Sequence, residues 1–197
     1  MKKKVLLIGY ENSKIYHFLK ENEFFSWIDG SEKITLDLIK NHNPEFIILH
    51  GCHSILTKDI VEFYKNKIIN CHGGYLPWNR GAHPNVWSFI ENTKSGGTVH
   101  YIDSSIDKGH IIERREINPE YSRTLKSVYW EIRDLLECIF IDNWEEIKNE
   151  SVKTVDISSE KGTLHFRKDL TKVEHLLVDG WDTEINTLLT LLKQKNG

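Results

Sequence analysis

The sequence predicts an α/β fold, in which a mostly parallel, twisted sheet carries helices on both faces. Short apolar runs of strand length lie at residues 5–8, at residues 46–49 and just before Asn70. Continuous apolar runs of this kind are typical of parallel strands that are covered on both faces. The stretches between them have apolar residues at helical spacing, as in residues 34–39. Strands that alternate with helices favour a parallel sheet.

The first half of the chain contributes several of these elements. Ser13 follows the first strand as a candidate N-cap, and apolar residues at helical spacing come after it. Residues 24–28 predict a short second strand, and residues 59–66 predict a short helix. The opening lacks the G-x-G-x-x-G pattern, so it does not predict a dinucleotide site.

The second half continues the alternation. Residues 86–92 predict a helix that ends at Gly96 and Gly97, followed by strands at residues 98–102 and 109–117. The longest helical pattern covers residues 124–148, where apolar residues fall near the 3.6-residue period. It contains Trp130 and Trp144, and we expect both to be core residues.

Length and charge limit the organisation and the partners. A chain of 197 residues is long enough for one domain with a sizeable core and an appendage. Residues 149–161 are polar and resemble a linker, so we expect a domain at residues 1–150 and a C-terminal extension at residues 151–197. The net charge is −3, without a clustered Lys/Arg face, which argues against nucleic acid as a partner.

Two further features bear on the location of the protein. The apolar run at residues 5–8 is shorter than the core of a signal peptide, and no run approaches the length of a membrane span. The three cysteines are odd in number and lack CxxC spacing, which favours free thiols in a reducing compartment. We therefore expect a cytoplasmic protein that does not associate with a membrane.

Three polar residues predict an acyl-transfer site. Asn70 and His72 follow a buried strand, at the edge of the sheet where ligands bind in open α/β folds, and Asp107 lies in a later polar loop. The amide can donate a hydrogen bond to a developing oxyanion, and the imidazole can move a proton near neutral pH. The carboxylate can orient the imidazole.

The motifs of this stretch also resemble those of a known family, over about residues 45–115. The elements that carry it are, in order, Asn70-x-His72, Leu76-Pro77, Arg80-Gly81, Gly97-Thr98-Val99-His100 and Asp107-x-Gly109-x-Ile111-Ile112. This ordered set resembles the folate-dependent formyltransferases. The run from Tyr75 to Gly81, followed by Pro84-Asn85-x-Trp87-Ser88-Phe89, is most similar to the branch that acts on nucleotide-linked amino sugars.

The resemblance implies a Rossmann-like formyltransferase domain and a reaction. A formyl group would pass from 10-formyltetrahydrofolate, as co-substrate, to the amine of a nucleotide-linked 4-amino-4,6-dideoxyhexose, in surface or flagellar glycan synthesis. Asn70, His72 and Asp107 would be catalytic, and a cis bond is expected before Pro77. Two loops would hold the pterin through their backbones; their residues are Ser54, Ile55, Leu56, Asp103, Ser104 and Ser105.

The resemblance also suggests contacts with the amino-sugar substrate and a homodimer. The candidate substrate residues are Tyr75, Trp78, Arg80 and His83. A base-stacking role is open for Trp78 and Trp181, which we expect in loops. No metal is predicted.

Three alternatives remain open from the sequence. One is formylation of another small amine, such as glycinamide ribonucleotide, although Glu11 would repel the phosphate that the first loop holds in those relatives. Another is a non-catalytic folate- or sugar-nucleotide-binding module. The third is a metal hydrolase, whose candidate ligands are His50, Cys52, His53, Cys71 and His72.

Overall fold

The computed structural model describes residues 1–196, with eight strands and six α-helices assigned among them. The strands are β1 (Lys4–Gly9), β2 (Phe24–Asp29), β3 (Phe46–His50), β4 (Ile68–His72), β5 (Arg80–Gly81), β6 (Ser95–Tyr101), β7 (Ile111–Ile117) and β8 (Leu164–His165). The helices are α1 (Lys14–Asn22), α2 (Leu36–His42), α3 (Lys58–Phe63), α4 (Pro84–Ile90), α5 (Leu125–Lys148) and α6 (Ile185–Asn196).

Six of the strands form one sheet, in the order β2-β1-β3-β4-β6-β7. Strand β1 pairs in parallel with β2 and with β3, and β3 pairs in parallel with β4. The chain moves one way from β1 to β2 and then returns past β1 to β3. Right-handed crossovers therefore place α1 and α2 on opposite faces of the sheet. The predicted α/β class is confirmed.

The chain divides into two compact units. The first contains Met1–His72, Val99–Glu113 and Glu137–Ser159. The second contains Gly73–Thr98, Arg114–Leu136 and the described chain from Glu160 onward. The domain boundary expected near residue 150 stays a prediction.

The first unit packs apolar side chains on both faces of the sheet. On one face, alternate residues of β1, β3 and β4 join the buried isoleucines of α2 and α3 in a cluster of Leu6, Ile8, Ile47, Leu49, Ile68, Ile39 and Ile60. On the other face, Phe46 meets Trp144 of α5 edge to face, with ring centroids 5.6 Å apart. Because both faces of the sheet are covered, β3 is a continuous apolar run.

Local hydrogen bonds fix where the early helices begin and end. The amide of Tyr16 donates to Ser13 Oγ at 3.0 Å, so Ser13 is the N-cap of α1, as predicted. The amide of Leu38 donates to Thr35 Oγ1 at 3.2 Å at the start of α2. Helix α2 ends at Asn43, whose φ of 45° is left-handed.

Three details of the sequence interpretation were wrong. Gly96 and Gly97 do not end a helix but lie inside β6. The strand has no room for a side chain at Gly96, because a Cβ there would come within 2.2 Å of the Arg115 carbonyl oxygen. Trp130 is 50% exposed, whereas Trp144 is fully buried as expected. Trp181 lies in the short 3₁₀ helix Gly180–Asp182 rather than in a loop.

The polar stretch after α5 is also more than a linker. Val155 forms an antiparallel bridge with Ile111, and the amide of each donates to the carbonyl of the other, at 2.8 and 2.9 Å. Ile157 is fully buried. This segment therefore belongs to the packed structure of the first unit.

The second unit contains a small parallel pair, β5 and β8. The amides of Arg80 and Ala82 donate to the carbonyls of Thr163 and His165. Trp87 of α4 stacks on the His165 ring, with centroids 3.9 Å apart. The peptide bond between Leu76 and Pro77 is cis, as hypothesised. Among residues 1–196, no helix combines the length and the apolar character that crossing a bilayer requires.

Candidate active site

The end of β4 places Asn70 and His72 on one face of the sheet and Cys71 on the other, because side chains alternate along a strand. His72 is 6% exposed, and Asn70 is partly buried. Burial, together with the charge of Glu137, raises the pKa of the Cys71 thiol well above its usual range. Cys71 is therefore a buried, unreactive thiol, and the polar chemistry of β4 belongs to its two neighbours.

Asp107 contacts both of these neighbours through its two carboxylate oxygens. Its Oδ2 lies 3.4 Å from His72 Nδ1, and its Oδ1 lies 3.3 Å from Asn70 Nδ2. A carboxylate beside Nδ1 favours the tautomer with hydrogen on that nitrogen, which leaves Nε2 able to accept a proton. Both distances are long for hydrogen bonds. The structure thus brings together all three predicted catalytic residues.

The loop between β6 and β7 positions this carboxylate. Asp107 has a left-handed φ of 48°, which turns the chain sharply. Gly109, two residues later, packs directly against the backbone of Tyr101, where a Cβ would lie 1.8 Å from the carbonyl oxygen. The amide of Tyr101 closes the loop by donating to the carbonyl of His110 at 2.9 Å. The D-x-G spacing is therefore a backbone requirement as well as a chemical one.

His100 is a fourth polar residue of the cluster, to which the sequence analysis gave no role. It lies on β6, which is next to β4 in the sheet, and it is 1% exposed. Its Nε2 is 3.2 Å from Asn70 Nδ2 and 3.5 Å from Asp107 Oδ1. The sequence contained His100 within a family motif, but the pairing of β6 with β4 is a long-range contact that spacing does not give.

The two predicted pterin loops lie in the first unit with these residues. The loop after β3 leaves the same edge of the sheet as the end of β4, because β3 and β4 are parallel neighbours. In it, the Ser54 hydroxyl donates to the Glu32 carbonyl at 3.0 Å, Ile55 is 80% exposed, and Leu56 packs partly against the core. The backbone around Ile55 therefore lies at the surface of the unit.

The second predicted loop is the one that also holds Asp107. The amide of Ser105 donates to Asp103 Oδ1 at 2.8 Å, so Asp103 begins a tight turn. Ser104 and Ser105 are exposed on it. One loop thus carries the predicted catalytic carboxylate and a candidate pterin contact.

The four candidate substrate residues lie in the second unit and have different neighbours. The Tyr75 ring faces the Arg114 guanidinium at 4.9 Å and the Lys94 ammonium at 5.0 Å. Trp78 is 36% exposed. Arg80 donates from Nε to the Thr163 carbonyl at 3.3 Å, so part of its donor capacity is used within the unit.

His83 differs from the other three because it forms an aromatic pair. It has a left-handed φ of 56° at the start of α4, and its ring stacks on Trp181 with centroids 5.5 Å apart. Burial, together with the charge of Arg167, lowers the pKa of His83. Trp181 is 42% exposed.

The possible metal ligands do not gather into a site in the described structure. Across residues 1–196, no group of three or more His, Cys, Asp or Glu side chains is arranged to hold a metal ion. His50 instead pairs with Glu137, whose Oε1 lies 3.0 Å from His50 Nε2. The metal-hydrolase alternative therefore has no cluster to support it in this part of the chain.

Comparison with known proteins identifies the family of the chain. A family model described as formyl transferase matches residues 9–143, which is more than half of the chain. The chain belongs to the formyl transferase family. The match includes Asn70, His72, His100 and Asp107.

Relatives of this formyl transferase family member include enzymes with different acceptors. It is 33% identical over 110 residues to the dTDP-4-amino-4,6-dideoxyglucose formyltransferase of Mycobacterium tuberculosis, covering 56% of this chain and 47% of that protein. It is 37% identical over 92 residues to the methionyl-tRNA formyltransferase of Clostridioides difficile, covering 46% and 30%. The chain thus spans less than half the length of these two relatives.

One solved structure resembles this chain over nearly the whole length of both proteins. The formyltransferase PseJ from Anoxybacillus kamchatkensis, in complex with UDP-4,6-dideoxy-4-formamido-L-AltNAc and tetrahydrofolate, is 37% identical with a TM-score of 0.85. That match covers 93% of this chain and 96% of PseJ. A 4-N formyltransferase from Francisella tularensis, at 18% identity and a TM-score of 0.74, shares the fold.

Proposed function

We propose that this protein transfers the formyl group of 10-formyltetrahydrofolate to the amine of a nucleotide-linked amino sugar. The observation that carries the proposal is the cluster of Asn70, His72 and Asp107 at the end of β4. The choice of acceptor is supported by the likeness to PseJ, which binds a UDP-linked formamido sugar and tetrahydrofolate. The finer proposal is a 4-amino-4,6-dideoxyhexose acceptor in surface or flagellar glycan synthesis.

Each catalytic residue has one task in this reaction. The neutral amine attacks the formyl carbon, and the carbonyl oxygen becomes an oxyanion to which Asn70 donates from Nδ2. His72 accepts the proton that the amine loses and returns a proton to the folate nitrogen as the carbon–nitrogen bond to the folate breaks. Asp107 holds Nδ1 of His72, so that Nε2 is the nitrogen that exchanges protons.

The remaining site residues are proposed as binding contacts. The backbone of the loop at Ser54, Ile55 and Leu56 and that of the loop at Asp103, Ser104 and Ser105 would hold the pterin ring. Tyr75, Trp78, Arg80 and His83 would contact the nucleotide sugar. The homodimer and the cytoplasmic location stay predictions.

The first loop gives a reason to prefer this acceptor over a phosphomonoester such as glycinamide ribonucleotide. The amide of Lys14, at the start of α1, donates to Glu137 Oε2 at 2.8 Å. A carboxylate of the protein itself therefore occupies the helix end where an anion is favoured. A substrate phosphate at this position would have to displace Glu137, which is buried and also bonded to His50.

The test is a turnover assay with 10-formyltetrahydrofolate and UDP-, dTDP- and GDP-linked 4-amino-4,6-dideoxyhexoses, with the formamido product followed by mass spectrometry. We expect Asn70→Ala to lower kcat by about 10²–10³ because an oxyanion donor is lost. His72→Ala and Asp107→Ala should each lower kcat by about 10²–10⁴. Cys71→Ala, on the other face of β4, is the matched control and should keep turnover.

Two results would contradict the proposal. One is near wild-type kcat in all three variants with saturating donor. The other is formylation of glycinamide ribonucleotide while no nucleotide sugar is turned over, which would favour the alternative acceptor.

A further inference from the structure

His100 contacts two of the proposed catalytic side chains from the interior of the first unit. Its Nε2 is 3.2 Å from Asn70 Nδ2 and 3.5 Å from Asp107 Oδ1. Its ring lies edge to face with the His72 ring, with centroids 6.3 Å apart. At 1% exposure it is the least accessible histidine of this group, so it does not itself meet a substrate.

The hydrogen bonds of His100 fix which of its nitrogens carries hydrogen. Its Nδ1 lies 2.8 Å from the carbonyl oxygen of Tyr101. A carbonyl oxygen only accepts, so Nδ1 must be the donor. In the neutral ring Nε2 then has a lone pair and acts as an acceptor, and Asn70 Nδ2 lies within hydrogen-bond distance of it.

This tautomer decides which end of the Asn70 amide faces the cluster. His100 Nε2 and Asp107 Oδ1 are both acceptors, and both face the same end of the amide. The reversed amide would place its oxygen against two acceptors and lose both bonds, so the nitrogen end is selected. One Nδ2 hydrogen is held by His100, and the other makes the longer, 3.3 Å contact with Asp107.

We propose that His100 is a positioning residue that orients the Asn70 amide for catalysis. It holds one amide hydrogen, so that the second remains available to move from the Asp107 carboxylate to the oxyanion formed on the formyl carbon. The inference rests on the proposed function, in which Asn70 is the oxyanion donor. Without His100, only the longer contact with Asp107 holds the amide, which can then turn more easily and present its oxygen to that negative charge.

The test combines two substitutions with a double-mutant cycle. Loss of an oxyanion donor costs about 10²–10³ in rate. His100→Leu keeps the donor but leaves it badly oriented, so we expect kcat to fall by about 10–100-fold, with little change in the KM of the folate. His100→Gln, whose side-chain oxygen can accept from Asn70, should recover most of the rate. In the Asn70→Ala background, His100→Leu should cost less than about twofold because the two residues act through one contact.

A second measurement does not depend on turnover. Nitrogen chemical shifts of ¹⁵N-labelled histidine in the wild-type protein should show His100 protonated on Nδ1 and unprotonated on Nε2. The opposite tautomer would overturn the proposal, and so would an equal loss of kcat for His100→Leu with and without Asn70. A wild-type protein that formylates no amine would instead overturn the proposed function, while the nitrogen shifts would still decide the His100 hydrogen bonds.

Discussion

Glu23 is a buried carboxylate that the protein keeps ionised through hydrogen bonds. It is 4% exposed, and it accepts from the Lys3 amide, from Trp144 Nε1 at 2.8 Å and from Lys148 Nζ at 3.2 Å. Burial alone would raise the pKa of Glu23, but these bonds outweigh it and lower the pKa below its ordinary value of 4.5. The side chain thereby joins the start of the chain to α5 within the first unit.

We predict that Glu23→Gln lowers the free energy of unfolding by about 1–3 kcal/mol at pH 7, because charge-assisted hydrogen bonds are lost. A depressed pKa stabilises the folded state above the ordinary pKa and loses that effect as the pH falls through the folded-state value. The difference between wild type and Glu23→Gln should therefore be full at pH 7 and shrink below about pH 4.5. Urea denaturation at several pH values measures it.

The exposed neighbour Glu21 supplies the control for this experiment. Glu21→Gln should change stability by less than about 0.5 kcal/mol at every pH, as is usual for surface substitutions. A Glu23→Gln penalty that stayed constant down to pH 3 would show that the charge of Glu23 does not matter.

At the same scale, the sequence predicted part of the site and missed part of it. Asn70 and His72 could be assigned to one face because strand periodicity is local. Asp107 could be proposed from its residue type and its polar loop, but its place beside His72 had no support from spacing, since it lies 35 residues after His72. The contacts of His100 depend on the pairing of β6 with β4, which no local pattern contains, so its proposed role could be argued only from the structure.

At the scale of the element, the two glycines of β6 show how a local pattern can give a wrong prediction of secondary structure. Two consecutive glycines predict a turn from local conformational freedom. In the structure they lie within the strand because close neighbours leave no room for a side chain. Leu136 Cδ2 would be 2.9 Å from a Cβ at Gly97, and Arg115 O would be 2.2 Å from a Cβ at Gly96. The packing of the sheet, rather than the turn tendency of glycine, decides their conformation.

We predict that Gly96→Ala destabilises the protein by about 1–3 kcal/mol, because the added methyl group must push β6 away from the β7 backbone. The matched control is Gly73→Ala, whose Cβ would meet Ile132 and Pro84 at an ordinary 3.6 Å. Urea denaturation compares the two variants. If Gly96→Ala were no less stable than Gly73→Ala, β6 and β7 would not approach each other this closely at Gly96.

On the scale of the whole molecule, the proposed roles are divided between the two units. The first contains the proposed catalytic residues and both candidate pterin loops, whereas the second contains the candidate nucleotide-sugar residues and the stack of His83 on Trp181. The sequence predicted the α/β class because alternating patterns repeat along the chain. It could not predict that the chain from Glu160 onward shares a unit with residues 73–98, since that grouping depends on contacts such as Arg80 with Thr163.

This division predicts that the two ligands can be separated by mutation. A ligand that binds only the native state at about 100 times its Kd adds about 2.7 kcal/mol of stability. For a protein of this size that corresponds to about 5–10 °C in Tm. We expect a folate analogue alone to raise Tm, and a UDP-, dTDP- or GDP-linked amino sugar to raise it further.

Trp181→Ala should lose most of the nucleotide-sugar shift and keep the folate shift, because the exposed aromatic surface beside His83 would be removed. Trp130→Ala, which removes an exposed tryptophan from α5, is the control and should keep both shifts. If Trp181→Ala responded to every nucleotide sugar like the wild type, the stack of His83 and Trp181 would have no part in binding.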